Sequence, residues 1–278
     1  MRFLQFILSH SIFIAICAAG LCFQTHILLH RPTDLNIYGF IFFSTLCGYN
    51  LYWLQSKYYF SDRKLNRAFF QRHFSFFLLF GLAAIGALYF LIKIWWLLPY
   101  IAVGGLLTLL YALPLWPFAF AKQLQKAGFF KTTLLSLTWA YVTVVIPAAG
   151  SGDMVLMPVT VLFCARFSFM LLLCIIFDMR DISVDKVHGL HSLATDLSKK
   201  SLNIIIYLVF GLYIMAGLLV RAYFHDDKQM LAFVVTGVIV WLVYRMSLQK
   251  KAYIFYYFLV DGLMLISALL SFLAELKK

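Results

Sequence analysis

Apolar runs of about 20 residues recur along the whole chain, and they constrain its fold more than any other feature. Each run is long enough to cross a hydrocarbon core of about 30 Å as a helix. The 278 residues are 64% hydrophobic and 12% charged, whereas soluble domains are nearer a quarter charged. We therefore predict an all-α polytopic membrane protein and exclude a soluble nucleic-acid-binding domain as the meaning of the +12 charge.

The runs predict nine membrane-spanning helices joined by short connections, and hence one transmembrane domain over 1–278. Because Arg2 alone precedes the first run and no small-residue cleavage site follows it, we expect a retained span rather than a cleaved signal. The predicted spans are 3–26, 35–57, 74–91, 94–113, 132–150, 154–177, 202–222, 229–247 and 253–274.

Basic residues are distributed unequally between the two sets of connections. Most of the 23 Lys and Arg residues lie on the side of the N-terminus, and the positive-inside rule places that side in the cytoplasm. The topology expected is therefore N-in, with the long loops after spans 2, 4 and 6 on the cytoplasmic face. All five cysteines lie inside apolar runs without metal-ligand spacing, so we expect buried, unreactive side chains.

Three of the 11 acidic residues, Asp178, Asp181 and Asp185, follow the sixth span within eight positions. Their i, i+3, i+7 spacing places them on one helical face. Carboxylates that close repel one another, and a divalent cation such as Mg²⁺ removes that cost while keeping positions free for phosphate oxygens. Neighbouring Arg180 and Lys186 are suited to phosphate. The alternative is a solvated, charged loop at the end of the span.

The pattern D-x-x-D-x-x-x-D of these acids, followed by Lys186, Gly189 and His191-Ser192-Leu193, resembles the second aspartate-rich motif of the UbiA family of intramembrane prenyltransferases. LLYALPLWPF at 109–118 and FFKTTLLSLTWAYVTVVIP at 129–147 resemble that family's segments around helices 4 and 5. The resemblance implies nine transmembrane helices and prenyl transfer from a polyprenyl diphosphate to an aromatic or other lipophilic acceptor. It also implies Mg²⁺, with catalytic and metal-binding roles for Asp178, Asp181 and Asp185.

The family's first motif, N-D-x-x-D-x-x-x-D, is degenerate in this chain. Asn50 is kept, but its three acidic positions hold Leu51, Leu54 and Tyr58, and Leu115 replaces the Lys of the family's Y-x-x-x-K feature after Tyr111. Cations nearby would have to compensate for the missing carboxylates. The substrate-binding residues expected are Asn50, Lys57, Tyr111, Lys131, Arg180 and Lys186.

Two other functions stay open at this level. Loss of the first motif is also compatible with a UbiA-like protein that binds a lipid without turning it over. A transporter would use Arg166 and Asp261, which lie inside spans 6 and 9 at matching depths and are expected to form a buried ion pair. Tyr111, Trp139 and Tyr141 are candidates for stabilising an allylic cation through their ring faces. A bacterial inner membrane with a cytoplasm-facing site is the expected location.

Overall fold

The computed structural model describes residues 2–60, 67–112, 128–150, 152, 155–188, 191–224 and 226–276. Every regular element in these ranges is helical, which confirms the predicted all-α class. The helices, in chain order, are α1 (Arg2–Ser9), α2 (Ile12–Leu28), α3 (Leu35–Phe60), α4 (Arg67–Arg72), α5 (Phe74–Lys93), α6 (Leu98–Ala112), α7 (Gly128–Gly150), α8 (Leu156–His188), α9 (Leu193–Asp196), α10 (Lys199–Phe224), α11 (Asp227–Ser247) and α12 (Phe255–Leu276).

A helix overlaps each of the nine predicted spans, but not every one meets the criteria for crossing a membrane. Six helices in the described ranges are long and apolar enough to do so, or seven if α1 and α2 form one bent span. Helix α6 is shorter, and polar side chains along α3 lower its hydropathy. The nine-span count and the sidedness of the termini therefore stay predictions.

The predicted first span is not one straight helix. It breaks at His10 and Ser11, and α1 and α2 meet at an angle of 67°. Ser11 has a φ of 62°, in the left-handed region that interrupts a right-handed helix.

Six of the long helices, α2, α7, α8, α10, α11 and α12, pack in a closed ring. Helices α6, α7, α8, α10, α11 and α12 each pack on the next, α12 packs on α2, and α2 packs on both α3 and α7. Helix α8 is the best buried of the candidate spans. Its 33 residues extend for about 50 Å, so one end projects beyond a hydrocarbon core of about 30 Å. That projecting end carries the three aspartates.

Two helices contain π-helical segments, Tyr141–Val145 in α7 and Phe255–Val260 in α12. Such wider turns are common at functional sites because they change the direction of neighbouring side chains. The first lies beside a cavity that Val142 helps to line, and the second ends immediately before Asp261.

The cysteine expectation holds for part of the set. All five are free, and Cys17, Cys22 and Cys174 are buried, whereas Cys47 is half-buried and Cys164 is exposed. Cys164 lies on an outward face of α8, where an apolar side chain meets lipid at no cost.

Candidate functional site

Helix α8 continues through the acidic cluster as far as His188, so Asp178, Asp181 and Asp185 lie along one side of its end. Asp185 is 8% exposed, and the other two are half-buried. Burial raises the pKa of the Asp185 carboxyl above its usual range, while nearby Lys131 opposes the shift. The cluster is therefore helical and partly buried, which disfavours the alternative of a solvated loop.

Helix α7 supplies the groups that face these acids. Thr132 donates a hydrogen bond from Oγ1 to Oδ2 of Asp178 at 2.5 Å. The preceding residue, Lys131, interacts electrostatically with all three aspartates and with Tyr52 of α3. Lys131 thus links the carboxylates of α8 electrostatically to Tyr52 of α3.

Arg180 is engaged within the protein rather than free for a phosphate. Its Nε and Nη2 donate to the two carboxylate oxygens of Asp181 at 2.7 and 2.6 Å. The guanidinium also lies 4.9 to 5.1 Å from the ring centroids of Phe177, Tyr256 and Tyr257. This cation–π cage fixes Arg180 and, through it, Asp181.

The three carboxylates do not converge as a triad of metal ligands. No group of three His, Cys, Asp or Glu side chains in the described part of the chain is placed to hold a metal ion. Mg²⁺ needs only one or two protein carboxylates, because waters and phosphate oxygens complete its shell. Asp178 and Asp185 repel each other electrostatically, and Arg180, which is hydrogen-bonded to Asp181, interacts with Asp185 only at longer range. This pair fits a magnesium site, whereas Asp181 is taken up by Arg180.

A cavity of about 410 Å³ opens between α3, α6 and α7. Its walls are mainly apolar and aromatic, and they include Tyr49, Tyr52, Tyr111 and Trp139. Tyr52 stacks on Tyr111 with ring centroids 5.8 Å apart. Because Tyr52 also faces Lys131, the aromatic cavity meets the charged cluster at one point.

The segment after α8 holds the start of α7 in place. Asp196 accepts hydrogen bonds from the Gly128 N–H at 3.1 Å and from His191 Nδ1 at 2.7 Å. The Leu193 N–H donates to Thr132 Oγ1 at 3.4 Å, and Thr132 in turn contacts Asp178. The motif residues 191–193 therefore position the helix that carries Thr132 and Lys131.

Gly128→Ala is expected to lower the free energy of unfolding by about 1–3 kcal/mol, as overpacking does in a core. A Cβ at this position would lie 2.4 Å from the backbone nitrogen of Ser192. Thermal unfolding of the purified protein measures the effect. Gly81→Ala is the control, because a Cβ there meets nothing within 4 Å. Equal stability of the two variants would contradict this close contact.

Two predicted substrate-binding residues of α3 do not reach the cluster. Lys57 Nζ lies over the Phe76 ring of α5, 4.0 Å from its centroid. It follows Tyr52 by five positions, or about 140° around the helix, and therefore faces away from Lys131. Asn50 is fully buried and donates from Nδ2 to the carbonyls of His10 at 3.0 Å and Leu46 at 2.8 Å. It joins α3 to the α1–α2 break.

Asn50→Leu is expected to lower the free energy of unfolding by about 1 kcal/mol, the scale of a hydrogen bond between membrane helices. Affinity for a prenyl diphosphate analogue should not change, because the amide is committed to the His10 carbonyl. Chemical unfolding and ligand binding measured on the same preparation separate the two effects. Loss of ligand binding with unchanged stability would return Asn50 to the site.

The other predicted residues differ in their surroundings. Tyr111 and Trp139 line the cavity, and Tyr141 does not. Lys186 is exposed, one residue beyond Asp185. Leu54 is buried in the core, with 6% exposure, so an apolar side chain packs where the sequence resemblance would expect a carboxylate. Leu115, Gly189 and the basic residues of 113–127 lie outside the described residues.

The expected ion pair between Arg166 and Asp261 is wrong. Arg166 is buried against α2 and donates from Nη2 to the Leu21 carbonyl at 3.2 Å. Asp261 interacts instead with Arg180, and no ion pair within 4.0 Å between described residues joins the two. The two side chains face different neighbours, Leu21 of α2 for Arg166 and Arg180 of α8 for Asp261, which spacing along each helix does not reveal.

One solved structure has a similar fold. The chain aligns with the apo structure of a UbiA homologue from Aeropyrum pernix K1 with a TM-score of 0.67, covering 96% of this chain and 98% of that one. The chain has a UbiA-like fold. Sequence identity over the match is 13%, so the similarity concerns architecture alone. No family model matches the sequence, and no curated protein matches it.

Several residues of this candidate site were not singled out by the sequence. Tyr49 and Tyr52 flank Asn50 and line the cavity, Thr132 follows Lys131, and Asp196 lies beyond the acidic motif. In the sequence, the feature that could have pointed to these residues is their closeness to motif positions. Which of the 16 tyrosines face the cavity depends on helix rotation, which the weakly amphipathic pattern of α3 does not set.

Proposed function

We propose that the protein is a membrane-embedded transferase that moves a prenyl group from a polyprenyl diphosphate to an aromatic or other lipophilic acceptor. The observation that carries this proposal is the contact between the aromatic cavity and the charged cluster through Tyr52 and Lys131. The apolar tail of the substrate requires an apolar cavity, and its diphosphate requires a charged site. The two lie side by side in this structure.

Each part of the substrate has residues suited to it. The tail lies in the cavity, where removal from water provides affinity. Lys131 holds the diphosphate oxygens and stabilises the negative charge that grows on them as the carbon–oxygen bond breaks. The ring faces of Tyr49, Tyr111 and Trp139 stabilise the positive charge that grows on the allylic carbon.

Asp178 and Asp185 are the residues proposed to hold Mg²⁺. When bound, the ion adds positive charge that the site otherwise lacks, since three aspartates outnumber Lys131 and Arg180. Thr132 fixes the orientation of Asp178 through its hydrogen bond. Arg180 keeps Asp181 apart from this pair.

Product analysis tests the proposal directly. The purified full chain in lipid nanodiscs is incubated with Mg²⁺, prenyl diphosphates of increasing length, and phenolic, naphthoic or isoprenoid-alcohol acceptors. The expected result is release of diphosphate together with an acceptor heavier by one prenyl group less one hydrogen. Absence of both across the panel would reject the transferase.

A non-catalytic lipid-binding protein is the second candidate. Two observations favour it, the core position of Leu54 and the engagement of Asp181 by Arg180. It predicts saturable binding of a prenyl diphosphate without release of diphosphate under any acceptor. The transporter alternative loses its main support because Arg166 and Asp261 are not paired.

The location proposed is a bacterial inner membrane with the carboxylate cluster at the cytoplasmic face. The excess of basic residues on that side supports it. Cysteine-accessibility labelling in oriented vesicles tests the sidedness: a reporter cysteine at exposed Lys186 should react only from the cytoplasmic side.

A further inference from the structure

Arg166 of α8 is a buried cation without a counter-charge among the described residues. It is 6% exposed, and its hydrogen bond within those residues runs from Nη2 to the Leu21 carbonyl of α2 at 3.2 Å. No carboxylate in the described part of the chain lies within 4.0 Å of the guanidinium. A guanidinium has five N–H donors, and a charge at such depth is costly unless it is paired or lines a cavity.

A second cavity, of about 10 Å³, lies beside this residue. Five helices contribute to its walls, through Gln24 of α2, Arg166 of α8, Tyr213 of α10, Phe233 of α11 and Ser267 of α12. The other lining residues are apolar, and none of the lining residues is acidic. A space of this volume is about enough for one particle of the size of a water molecule. We call it the Arg166 cavity.

The unused N–H groups of Arg166 border open space rather than packed protein. Among the described residues, four side-chain nitrogen or oxygen atoms are both closed off from a water-sized particle and without a hydrogen-bond partner, and none of the four belongs to Arg166. Because the residue is otherwise buried, its remaining nitrogens border the cavity that it lines.

Ser267 provides a second donor in the same cavity. Gln24 Nε2 donates to Ser267 Oγ at 2.9 Å, to the Ser267 carbonyl at 3.0 Å and to Ser271 Oγ at 2.8 Å. These contacts fix the Gln24 amide, and they leave the Ser267 hydroxyl proton without an acceptor in the described ranges. Tyr213, by contrast, donates its proton to the Phe233 carbonyl at 3.2 Å. The Arg166 cavity therefore combines one positive charge with a hydroxyl donor, which is a donor set suited to an anion.

We propose that the Arg166 cavity binds one small monovalent anion of the size and charge of chloride. A water molecule would accept the hydrogen bonds but would leave the buried charge of Arg166 uncompensated, whereas an anion supplies both the acceptor and the counter-charge. Sulfate, phosphate and organic carboxylates are too large for a cavity of about 10 Å³.

This site is separate from the proposed transferase site. Arg166 precedes Asp178 on α8 by about 18 Å of helix, and the inference does not depend on prenyl transfer. The five helices that line the Arg166 cavity all belong to the closed ring. An anion bound between them links these helices, so its binding free energy adds to the stability of the folded chain.

Thermal unfolding of the full chain in lipid nanodiscs measures this binding. Chloride should raise the Tm in a saturable way relative to gluconate at the same ionic strength, since gluconate is too large to enter. The expected rise is about 5 °C when chloride reaches about 100 times its Kd, and bromide should act in the same way.

Two arginine variants show whether the response belongs to this cavity. Arg166→Met replaces the cation with an apolar side chain, and the chloride-dependent rise in Tm should be lost. Arg221→Met is the matched control, because Arg221 lies on α10, is 55% exposed and pairs with Asp227 at 2.6 Å. Its chloride response should equal that of the wild type.

Bromide also locates the site without any variant, because it scatters anomalously. Wild-type crystals soaked in bromide should show an anomalous peak within hydrogen-bond distance of the Arg166 guanidinium, and this measurement stands alone if Arg166→Met does not fold. A water molecule there in place of bromide, or an equal Tm in chloride and gluconate, would overturn the proposal. A chloride response that persists in Arg166→Met would also overturn it, since the anion would then bind elsewhere.

Discussion

Replacing Gly105 with Leu is expected to abolish high-affinity binding of a prenyl diphosphate while the protein stays folded. Gly105 lines the cavity, and a Cβ added there meets nothing within 4 Å. A Leu side chain therefore fills space that the tail would occupy. Excluding about four carbons at about 0.8 kcal/mol each predicts a loss of affinity of about 100-fold or more. Titration with farnesyl S-thiolodiphosphate, followed by tryptophan fluorescence, measures it.

Two further glycines control this experiment. Gly48 lines the cavity from α3 and is equally open, so Gly48→Leu should reproduce the loss from the opposite wall. Gly211 of α10 is also open but lies outside the cavity, so Gly211→Leu should bind the analogue like the wild type. A Gly105→Leu protein with wild-type affinity would show that the tail lies elsewhere.

Asp178→Asn is expected to reduce turnover by about 100-fold or more, the scale seen when one preorganised electrostatic group is removed. Asn keeps the shape and the hydrogen bond from Thr132 but removes the charge that faces Lys131. The Mg²⁺ concentration required for thiolodiphosphate binding should also rise, because one of the two carboxylates suited to the ion is lost. Diphosphate release and a magnesium titration of binding give the two readouts.

Asp181→Asn provides the sharp comparison. The structure ties Asp181 to Arg180 through two hydrogen bonds, so its loss should act mainly on stability and far less on the magnesium requirement. A sequence motif alone gives the two aspartates equal weight. Equal effects of the two substitutions on magnesium dependence would contradict the assignment of Asp178 and Asp185 as the pair.

The sequence predicted the helical class and the helix that carries the acidic face, because long apolar runs and i, i+3, i+7 spacing depend only on local geometry. It also led to Lys131 and Asp178, which the fold brings together. The sequence did not predict which side chains contact each other across the bundle. The partners of Lys57, Arg166 and Asp261 depend on how each helix is rotated about its axis. Because apolar residues cover these helices almost uniformly, the sequence pattern does not indicate that rotation.

The break at Ser11 escaped prediction for a related reason. Its left-handed φ occurs at a residue that is not glycine, and the hydrogen bond from Asn50 to the His10 carbonyl is a tertiary contact. The adjacent pair Arg180 and Asp181 was likewise visible only as two neighbouring charges. Three aromatic rings from α8 and α12 surround the Arg180 guanidinium and hold it where it binds Asp181.

Photolabelling tests most directly whether the aromatic cavity and the charged cluster form one site. A prenyl diphosphate analogue with a diazirine in its tail is bound to the full chain, irradiated, and its adducts are located by mass spectrometry. We expect adducts on the cavity walls of α3, α6 and α7, which disappear with excess unlabelled analogue and in Gly105→Leu. Adducts confined to the outer faces of α10 and α11, or unaffected by competition, would contradict it.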